Sequence, residues 1–231
     1  MAHDPGASTE SISPTESSRV ANCGPTGLAS LPPEWLASRR LPIIQLDQGA
    51  SLYRVHQLIH GAVFFGPTGD RRSNQFEAPR YRFDSQSGAF GVLYAAKSFS
   101  GAFVESLLRQ PAVETVSRAY LERFALTELT LRRPLRLVAM HGPGLSRLGL
   151  TNAISTGPYP PCQVWTDYLR AHADKPDGIA YLSRHDPTQL CYAIFEPAEP
   201  IFDATEPTPF ATMMPRIRAI LSGHGKMLLT R

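Results

Sequence analysis

The sequence predicts a single mixed domain of the α+β class. Short apolar runs typical of strands are interspersed with runs of helical periodicity, without the strict strand–helix–strand rhythm of a parallel sheet. With 231 residues, of which 42% are hydrophobic, the chain is long enough to bury one core. No internal repeat is visible, so we expect one domain with an N-terminal appendage.

The appendage is predicted from composition. Half of residues 1–30 (15 of 30) are Ser, Thr, Pro or Gly. Such a stretch cannot bury enough apolar surface to offset the entropy lost on ordering. We therefore assign residues 1–31 to a flexible arm and residues 32–231 to the folded domain. Pro32 and Pro33 suit the start of a short helix that opens this domain.

The first half of the domain is predicted to contain strands over residues 51–56 and 90–97 and helices over residues 101–109 and 115–126. A long loop over residues 61–80, rich in Gly, Pro, Asn and Asp, separates the two strands. Loops of this length inside a domain are often functional. Ser100 is the expected N-cap of the first helix, and Pro111 is expected to end it.

The second half is predicted to contain strands over residues 134–140, 178–182 and 191–195, helices over residues 148–156 and 161–173, and one helix within residues 209–231. Pro176-Asp177-Gly178 should stop the longer helix. His185-Asp186-Pro187 is expected to form the turn between the last two of these strands.

Charge and cysteine content argue against several classes of protein. The net charge is only +3 and the basic pairs are isolated, which argues against a nucleic-acid surface. Three cysteines without close spacing indicate neither a disulfide framework nor a zinc site, and they favour a reducing, cytoplasmic location. No segment reaches the roughly 18 consecutive apolar residues of a membrane helix. Export as an effector is left open, because the flexible arm could serve a delivery system.

Familiar catalytic motifs are missing: there is no Gly-rich phosphate loop, GxSxG, HExxH or CxxC. Four places are nevertheless unusual for a core strand or helix. Arg54 and Tyr94 lie inside apolar strands, Glu105 borders the apolar stripe of a helix, and Ser183-Arg184 ends a strand. Taken singly, they fit a surface Arg, a core Tyr, a solvated Glu and a turn Ser.

Taken together, these positions resemble the RES-domain family. The resemblance rests on Leu52-Tyr53-Arg54, Arg82-Phe83, Leu93-Tyr94, Ala102-x-x-Glu105, Gln163-x-Trp165 and Gly178-Ile179-x-Tyr181-x-Ser183-Arg184, in this order. An apolar strand over residues 191–195 closes the pattern, which covers about residues 50–200. The chain departs from it in the long insert between the first two arginines and in its N-terminal arm.

The resemblance implies a fold similar to that of ADP-ribosyltransferases. It also implies the activity of an NAD-degrading toxin from a RES–Xre toxin–antitoxin pair, with NAD as substrate and no separate cofactor. The expected partner is an Xre-type antitoxin or another inhibitory protein. No metal is implied.

The physical chemistry of the motif residues agrees with NAD as the ligand. Arg54 is suited to bind the diphosphate bidentately, and Arg82 is the second candidate for this contact. The ring of Tyr94 can stack on the flat nicotinamide cation.

Bond cleavage would leave an oxocarbenium-like ribose, which the carboxylate of Glu105 could stabilise. Ser183 is assigned a hydrogen bond to the ribose or to a phosphate, and Arg184 either assists or forms a surface pair. Gln163 and Trp165 are expected to brace the site rather than react.

Three histidines, His56, His60 and His141, are candidates for a general base. Because nicotinamide leaves as a neutral molecule, its departure needs no strong acid, and a structural role is favoured for all three.

The acceptor of ADP-ribose stays open at this point. Water would make the protein an NAD glycohydrolase, inorganic phosphate a phosphorylase, and a protein side chain an ADP-ribosyltransferase. The competing class is a non-catalytic interaction module that keeps the RES fold for partner binding.

Overall fold

The fold is built on a large mixed sheet, and the computed structural model describes it over residues 31–66 and 79–229. Residues 1–30 of the predicted arm over residues 1–31, and most of the predicted 61–80 loop, lie outside the described residues. The described strands are β1 (Ile43–Leu46), β2 (Ser51–Gln57), β3 (Val92–Ala96), β4 (Thr115–Ser117), β5 (Phe124–Leu131), β6 (Leu135–Met140), β7 (Gly178–Leu182), β8 (Leu190–Phe195), β9 (Phe202–Ala204), β10 (Thr208–Pro209) and β11 (Met227–Leu229).

Six α-helices occur in the described ranges: α1 (Phe99–Leu107), α2 (Arg118–Leu121), α3 (Pro143–Leu148), α4 (Ala153–Thr156), α5 (Tyr159–Ala171) and α6 (Met214–Gly223). Two short 3₁₀ helices, Glu34–Ser38 and Phe210–Thr212, complete the list. None of these helices combines the length and the apolar character that crossing a bilayer requires.

Nine of the described strands form one sheet in the order β1-β6-β7-β8-β3-β2-β5-β10, and β9 also pairs with β5. Within it β6 and β7 run parallel, whereas the other described neighbours are antiparallel. A separate parallel pair joins β4 and β11. A mostly antiparallel sheet with helices packed on it confirms the predicted α+β class.

The sheet is weakly joined between β2 and β3. These strands are in register at one position, Tyr53 opposite Ala96, whereas β2 pairs with β5 along its whole length from Ser51 to Gln57. Diverging strands leave backbone groups that other residues can reach. The candidate site lies at this divergence.

Three apolar clusters hold the elements together. Helices α3, α4 and α5 cover one face of the sheet, where Trp165 and Leu169 pack with Ile179. A second cluster lies among the strands around Leu129. A third joins α1 and α6 to β5, around Phe103. This last cluster anchors the helix that carries the candidate carboxylate.

Most of the predicted elements are confirmed. The strands at residues 51–57, 92–96, 135–140, 178–182 and 190–195 and the helices at residues 99–107, 159–171 and 214–223 all match predictions within a few residues. A short helix does follow Pro33, in its 3₁₀ form. Strand β1 and the short strands β9 to β11 were not predicted.

Three predictions are wrong in detail. Residues 115–126 do not form one helix, because they contain β4, the single turn α2 and the start of β5. Ser98, not Ser100, caps α1: its hydroxyl accepts a hydrogen bond from the Gly101 amide at 2.9 Å. The helix expected over residues 148–156 is divided, because Gly149 adopts a left-handed conformation (φ 70°) that ends α3.

Candidate functional site

A small open pocket lies where β2 and β3 diverge beneath α1. Its lining comprises Tyr53, Val55, Tyr94, Ala95, Ala96, Ala102, Glu105, Ser106 and Tyr181, and its volume is about 230 Å³. This volume includes open solvent at the mouth, so the pocket is a shallow depression rather than an enclosed cavity.

Glu105 supplies the acidic group of the pocket. It lies on α1, one turn from the end of the helix, and is half-buried. Its Oε2 accepts a hydrogen bond of 2.6 Å from the Ser183 hydroxyl, and its Oε1 accepts a longer one of 3.4 Å from the Tyr181 hydroxyl. The carboxylate is therefore held by one strong contact, and its other oxygen remains weakly bonded toward the pocket.

Ser183 and Tyr181 lie at the carboxyl end of β7, two residues apart, so both side chains can reach Glu105 from one face of the strand. At Gly178, the first residue of β7, a Cβ atom would lie 2.4 Å from the Ala193 carbonyl oxygen, so only glycine permits the close approach of β7 to β8 there. Ser183 is 2% exposed and directs its hydroxyl at Glu105. In this structure it positions the carboxylate, while its predicted contact with a ligand stays a prediction.

Tyr94 forms the wall opposite Glu105. It lies on β3 and lines the pocket, and its hydroxyl donates to Asp84 Oδ1 at 2.9 Å and accepts from the Phe83 amide at 3.0 Å. Burial and the negative charge of Asp84 raise the pKa of Tyr94 well above 10. Tyr94 therefore keeps its hydroxyl proton near pH 7, and its aromatic ring is of a type that stacks on flat cations.

Arg54 supplies a cation beside this wall. Its Nη1 donates to the Tyr94 carbonyl at 2.9 Å and its Nη2 to the Phe64 carbonyl at 3.3 Å, while its Nε is buried without a partner. No carboxylate among the described residues pairs with it. Burial lowers the pKa of Arg54 to about 10. A half-buried guanidinium that lacks a counter-ion is suited to receive an anionic ligand.

The backbone and ring of Tyr94 connect the two charged groups. Its carbonyl receives Arg54, and its ring lines the pocket with Glu105. Arg54 alternates with Tyr53 and Val55 along β2, so it approaches from the opposite face of that strand. The incomplete β2–β3 pairing lets its guanidinium reach the gap. The structure thus brings Arg54, Tyr94, Glu105 and Ser183 together.

Arg82 is buried, and backbone carbonyls hold its guanidinium. It is 7% exposed, and its Nη1 donates to the Gly157 carbonyl at 2.8 Å and to the Ile154 carbonyl at 3.2 Å. Its guanidinium also lies 4.7 Å from the centroid of the Tyr159 ring. These contacts join the loop before β3 to the segment between α4 and α5. They give Arg82 a bracing role, and its proposed contact with the diphosphate remains untested.

Arg184 is exposed, and no described hydrogen bond or ion pair holds its side chain. Its charge acts on the neighbouring His185, whose pKa is lowered by burial, with Glu105 opposing this shift and Arg184 adding to it. Among the predicted site residues Arg184 is therefore the one least fixed by its surroundings. Its predicted contact with a ligand stays a prediction.

The residues expected to brace the site or the core do so. Gln163 Nε2 donates to the Tyr81 carbonyl at 3.0 Å, and Trp165 is fully buried in the core. His56 is buried against the Thr127 hydroxyl at 2.9 Å, which fits the structural role favoured for it. His60 is exposed and its ring stacks on Phe64. Neither histidine lines the pocket.

His141 is partly buried, and burial lowers its pKa. It does not line the pocket either. Within the described chain, no cluster of three His, Cys, Asp or Glu side chains is arranged to hold a metal ion.

Sequence analysis missed two residues that touch the site, Asp84 and Tyr181. Asp84 is fully buried and bonded to Tyr94, and Tyr181 is fully enclosed beside Glu105. Tyr181 stood within the strand motif, where its spacing of two from Ser183 placed both side chains on one face. Asp84 follows Arg82-Phe83 directly, but nothing in the sequence signalled its burial.

Comparison with known proteins supports these assignments at the level of the family. A model of the RES domain matches residues 51–215, more than half of the chain. No curated protein sequence matches the chain. Among solved structures, the chain is similar to a chain in the crystal structure of the M. tuberculosis MbcT-MbcA toxin-antitoxin complex, with 18% sequence identity and a TM-score of 0.49. That match covers 75% of this chain and 92% of the other.

Proposed function

The chain belongs to the RES-domain family, and from this premise we propose that it is an NAD-degrading toxin that cleaves the nicotinamide–ribose bond. The observation that carries the proposal is that β3 has a guanidinium on its backbone, Arg54, which pairs with no carboxylate among the described residues, and a carboxylate, Glu105, in the pocket that Tyr94 lines. NAD has the complementary charges: an anionic diphosphate, and a cationic ring on the sugar that reacts. A fold similar to that of ADP-ribosyltransferases is part of this proposal.

Arg54 is proposed to bind the diphosphate. Among the described residues its Nε has no hydrogen-bond partner, and its Nη atoms donate to carbonyl oxygens rather than to a carboxylate. An anion would offset the free-energy cost of burying this charge, so ligand binding and charge compensation coincide. The contact exists in the ground state and in the transition state alike, and it therefore serves affinity more than rate.

Glu105 is proposed to stabilise the transition state. As the C–N bond breaks, its electron pair leaves with nicotinamide, and positive charge moves from the ring onto the ribose. A carboxylate held by Ser183 at 2.6 Å is already oriented when this charge develops. Electrostatic stabilisation by preorganised groups of this kind is usually the largest single contribution to catalysis. Tyr94 would hold the nicotinamide ring until it departs, since it lines the same pocket as Glu105.

Water or inorganic phosphate is proposed as the acceptor. An acceptor oxygen forms the new bond to the ribose carbon, and its proton passes to solvent, which gives ADP-ribose or its phosphate ester. Phosphate needs a cationic contact near the ribose, and the exposed Arg184, which follows Ser183 directly in the chain, is proposed to supply one. Transfer to a protein side chain is the alternative within the same chemistry.

A cytoplasmic enzyme that consumes NAD requires restraint, so we further propose an inhibitory partner of the Xre antitoxin type. Its contact surface would cover the pocket mouth and direct a residue toward Arg54 or Glu105. A complex in which the pocket stayed open and NAD turnover continued would contradict this part of the proposal.

Expression in a bacterial host tests the proposed function. Induction of the wild-type chain should lower cellular NAD and arrest growth, whereas Glu105→Gln expressed at the same level should do neither. Unchanged NAD during strong expression of folded wild-type protein would refute the proposal and favour a non-catalytic interaction module.

A further inference from the structure

A fully buried carboxylate lies directly behind the pocket wall. Asp84 is 0% exposed, in the loop that leads to β3. Its Oδ1 accepts a hydrogen bond from the Tyr94 hydroxyl at 2.9 Å, and its Oδ2 accepts from the amides of Arg80 at 2.8 Å and Tyr81 at 2.7 Å. Burying a carboxylate costs free energy unless its oxygens are bonded, and here three donors satisfy them.

These bonds restrict the Tyr94 ring. Its hydroxyl donates to Asp84 and accepts from the Phe83 amide at 3.0 Å, so the hydroxyl acts as a donor and as an acceptor. The ring of Tyr81 meets that of Tyr94 edge to face, with centroids 5.6 Å apart and planes at 64°. Asp84 therefore holds Tyr94 by its hydroxyl and Tyr81 by its backbone amide.

We propose that Asp84 is a positioning residue, which sets the angle at which the Tyr94 ring meets the ligand by anchoring its hydroxyl to the Arg80–Tyr81 backbone. This inference rests on the proposed function, because its consequence is read in NAD turnover. Asp84 does not line the pocket, and its action passes through Tyr94. Burial raises the pKa of the Asp84 carboxyl, and its three donors oppose that shift.

The loop keeps a second support when Asp84 is altered. Gln163, on α5, donates to the Tyr81 carbonyl at 3.0 Å, independently of Asp84. In Asp84→Asn the remaining carbonyl oxygen can still accept both backbone amides, but the amide nitrogen then faces the Tyr94 hydroxyl. The Tyr94 hydroxyl loses its acceptor while the loop stays attached. The substitution thus isolates the orientation of the ring from the attachment of the loop.

Purified wild type, Asp84→Asn, Tyr94→Phe and the double variant should be compared by kcat/KM for NAD. We expect each single change to lower kcat/KM by roughly 10- to 100-fold, because small displacements in a site cost about that much. The kcat/KM of the double variant should be no lower than that of the less active single variant, since both changes break the same hydrogen bond. A general loss of stability would instead give effects that multiply.

Asp167→Asn is the matched control. Asp167 accepts hydrogen bonds from the Ser85 hydroxyl at 2.7 Å and the Ser87 amide at 2.9 Å, in the segment that follows Asp84, without touching Tyr94. This variant should keep wild-type kinetics.

The outcomes separate this inference from the proposed function. A folded wild-type protein that leaves NAD intact overturns the proposed function and with it the role of Asp84. An active wild type alongside an unaffected Asp84→Asn, multiplying effects in the double variant, or an equal loss in Asp167→Asn overturns the role of Asp84 alone. If Asp84→Asn does not fold, Tyr94→Phe decides, because wild-type kcat/KM in that variant also overturns the inference.

Discussion

Replacing Glu105 by Gln removes the charge of the pocket carboxylate and leaves its size. In the structure one strong bond holds this group, the 2.6 Å contact from Ser183, and glutamine's carbonyl oxygen can accept the same bond. The 3.4 Å contact from Tyr181 contributes little at that length. The side chain should therefore stay in place, and the change tests the charge rather than the geometry.

The expected loss follows from what the charge does. Removing one preorganised electrostatic stabiliser costs a factor of about 10² to 10³ in closed sites, and the open pocket reduces this effect by solvent screening. We expect kcat to fall roughly 10- to 1,000-fold, with a much smaller change in NAD affinity, because the ribose carries no full charge in the ground state. Exchanging a charge-assisted for a neutral hydrogen bond should lower stability by about 1 kcal/mol, or roughly 2–4 °C in melting temperature.

Nicotinamide release at saturating NAD gives kcat, and isothermal titration gives affinity. Glu122→Gln is the control, because it removes an equal charge from an exposed ion pair with Arg118 on α2, at an N–O distance of 2.7 Å. It should not alter kcat. Wild-type turnover by Glu105→Gln would refute the assignment of this carboxylate and most of the mechanism.

Three further predictions concern the cations and histidines around the site. Arg54→Ala should raise KM for NAD roughly 10- to 100-fold with a smaller effect on kcat, because it removes a charged contact worth about 1.5–3 kcal/mol in both ground and transition states; a fall in kcat alone would contradict this. Arg82→Ala should lower the free energy of unfolding by about 2–4 kcal/mol in urea titration, because two carbonyls lose their donor; a raised KM at unchanged stability would instead return Arg82 to the NAD site. The free energy of unfolding should fall as pH drops from 7 to 5, because burial lowers the pKa values of His56 and His141 below the usual 6.5 and the unfolded chain then binds more protons. His56→Gln should flatten that slope, and an unchanged slope would show that His56 does not cause it.

The sequence predicted the parts of the fold that follow a clear periodicity. Strand β2 and helix α5 fall where their apolar patterns placed them. The 115–126 segment was misassigned because its strand character depends on pairing with distant strands: β5 pairs with β2 along seven residues. The local sequence between Thr115 and Leu121 is also compatible with a helix. Such pairing across distant segments leaves no local signal.

For the candidate site, too, the sequence predicted some features and not others. The motif predicted that Arg54, Tyr94, Glu105 and Ser183 belong to one site. In the structure Tyr94 and Glu105 line one pocket, Ser183 donates to Glu105, and Arg54 donates to the Tyr94 carbonyl without lining that pocket, while their roles toward a ligand stay predictions. Motif order could not show that Ser183 donates to Glu105, nor that a fully buried Asp84 supports Tyr94, because both facts depend on how α1 and the loop before β3 pack against β7. Hydrogen bonds between distant segments become visible only in the folded chain.

The central claim is tested most directly by incubating the purified wild-type chain with NAD, in buffers with and without inorganic phosphate, and identifying the products by chromatography. We predict equimolar release of nicotinamide together with ADP-ribose, or with its phosphate ester when phosphate is the acceptor. Glu105→Gln, run in parallel, should release far less. Intact NAD after prolonged incubation with folded wild-type protein, in both buffers, would contradict the account.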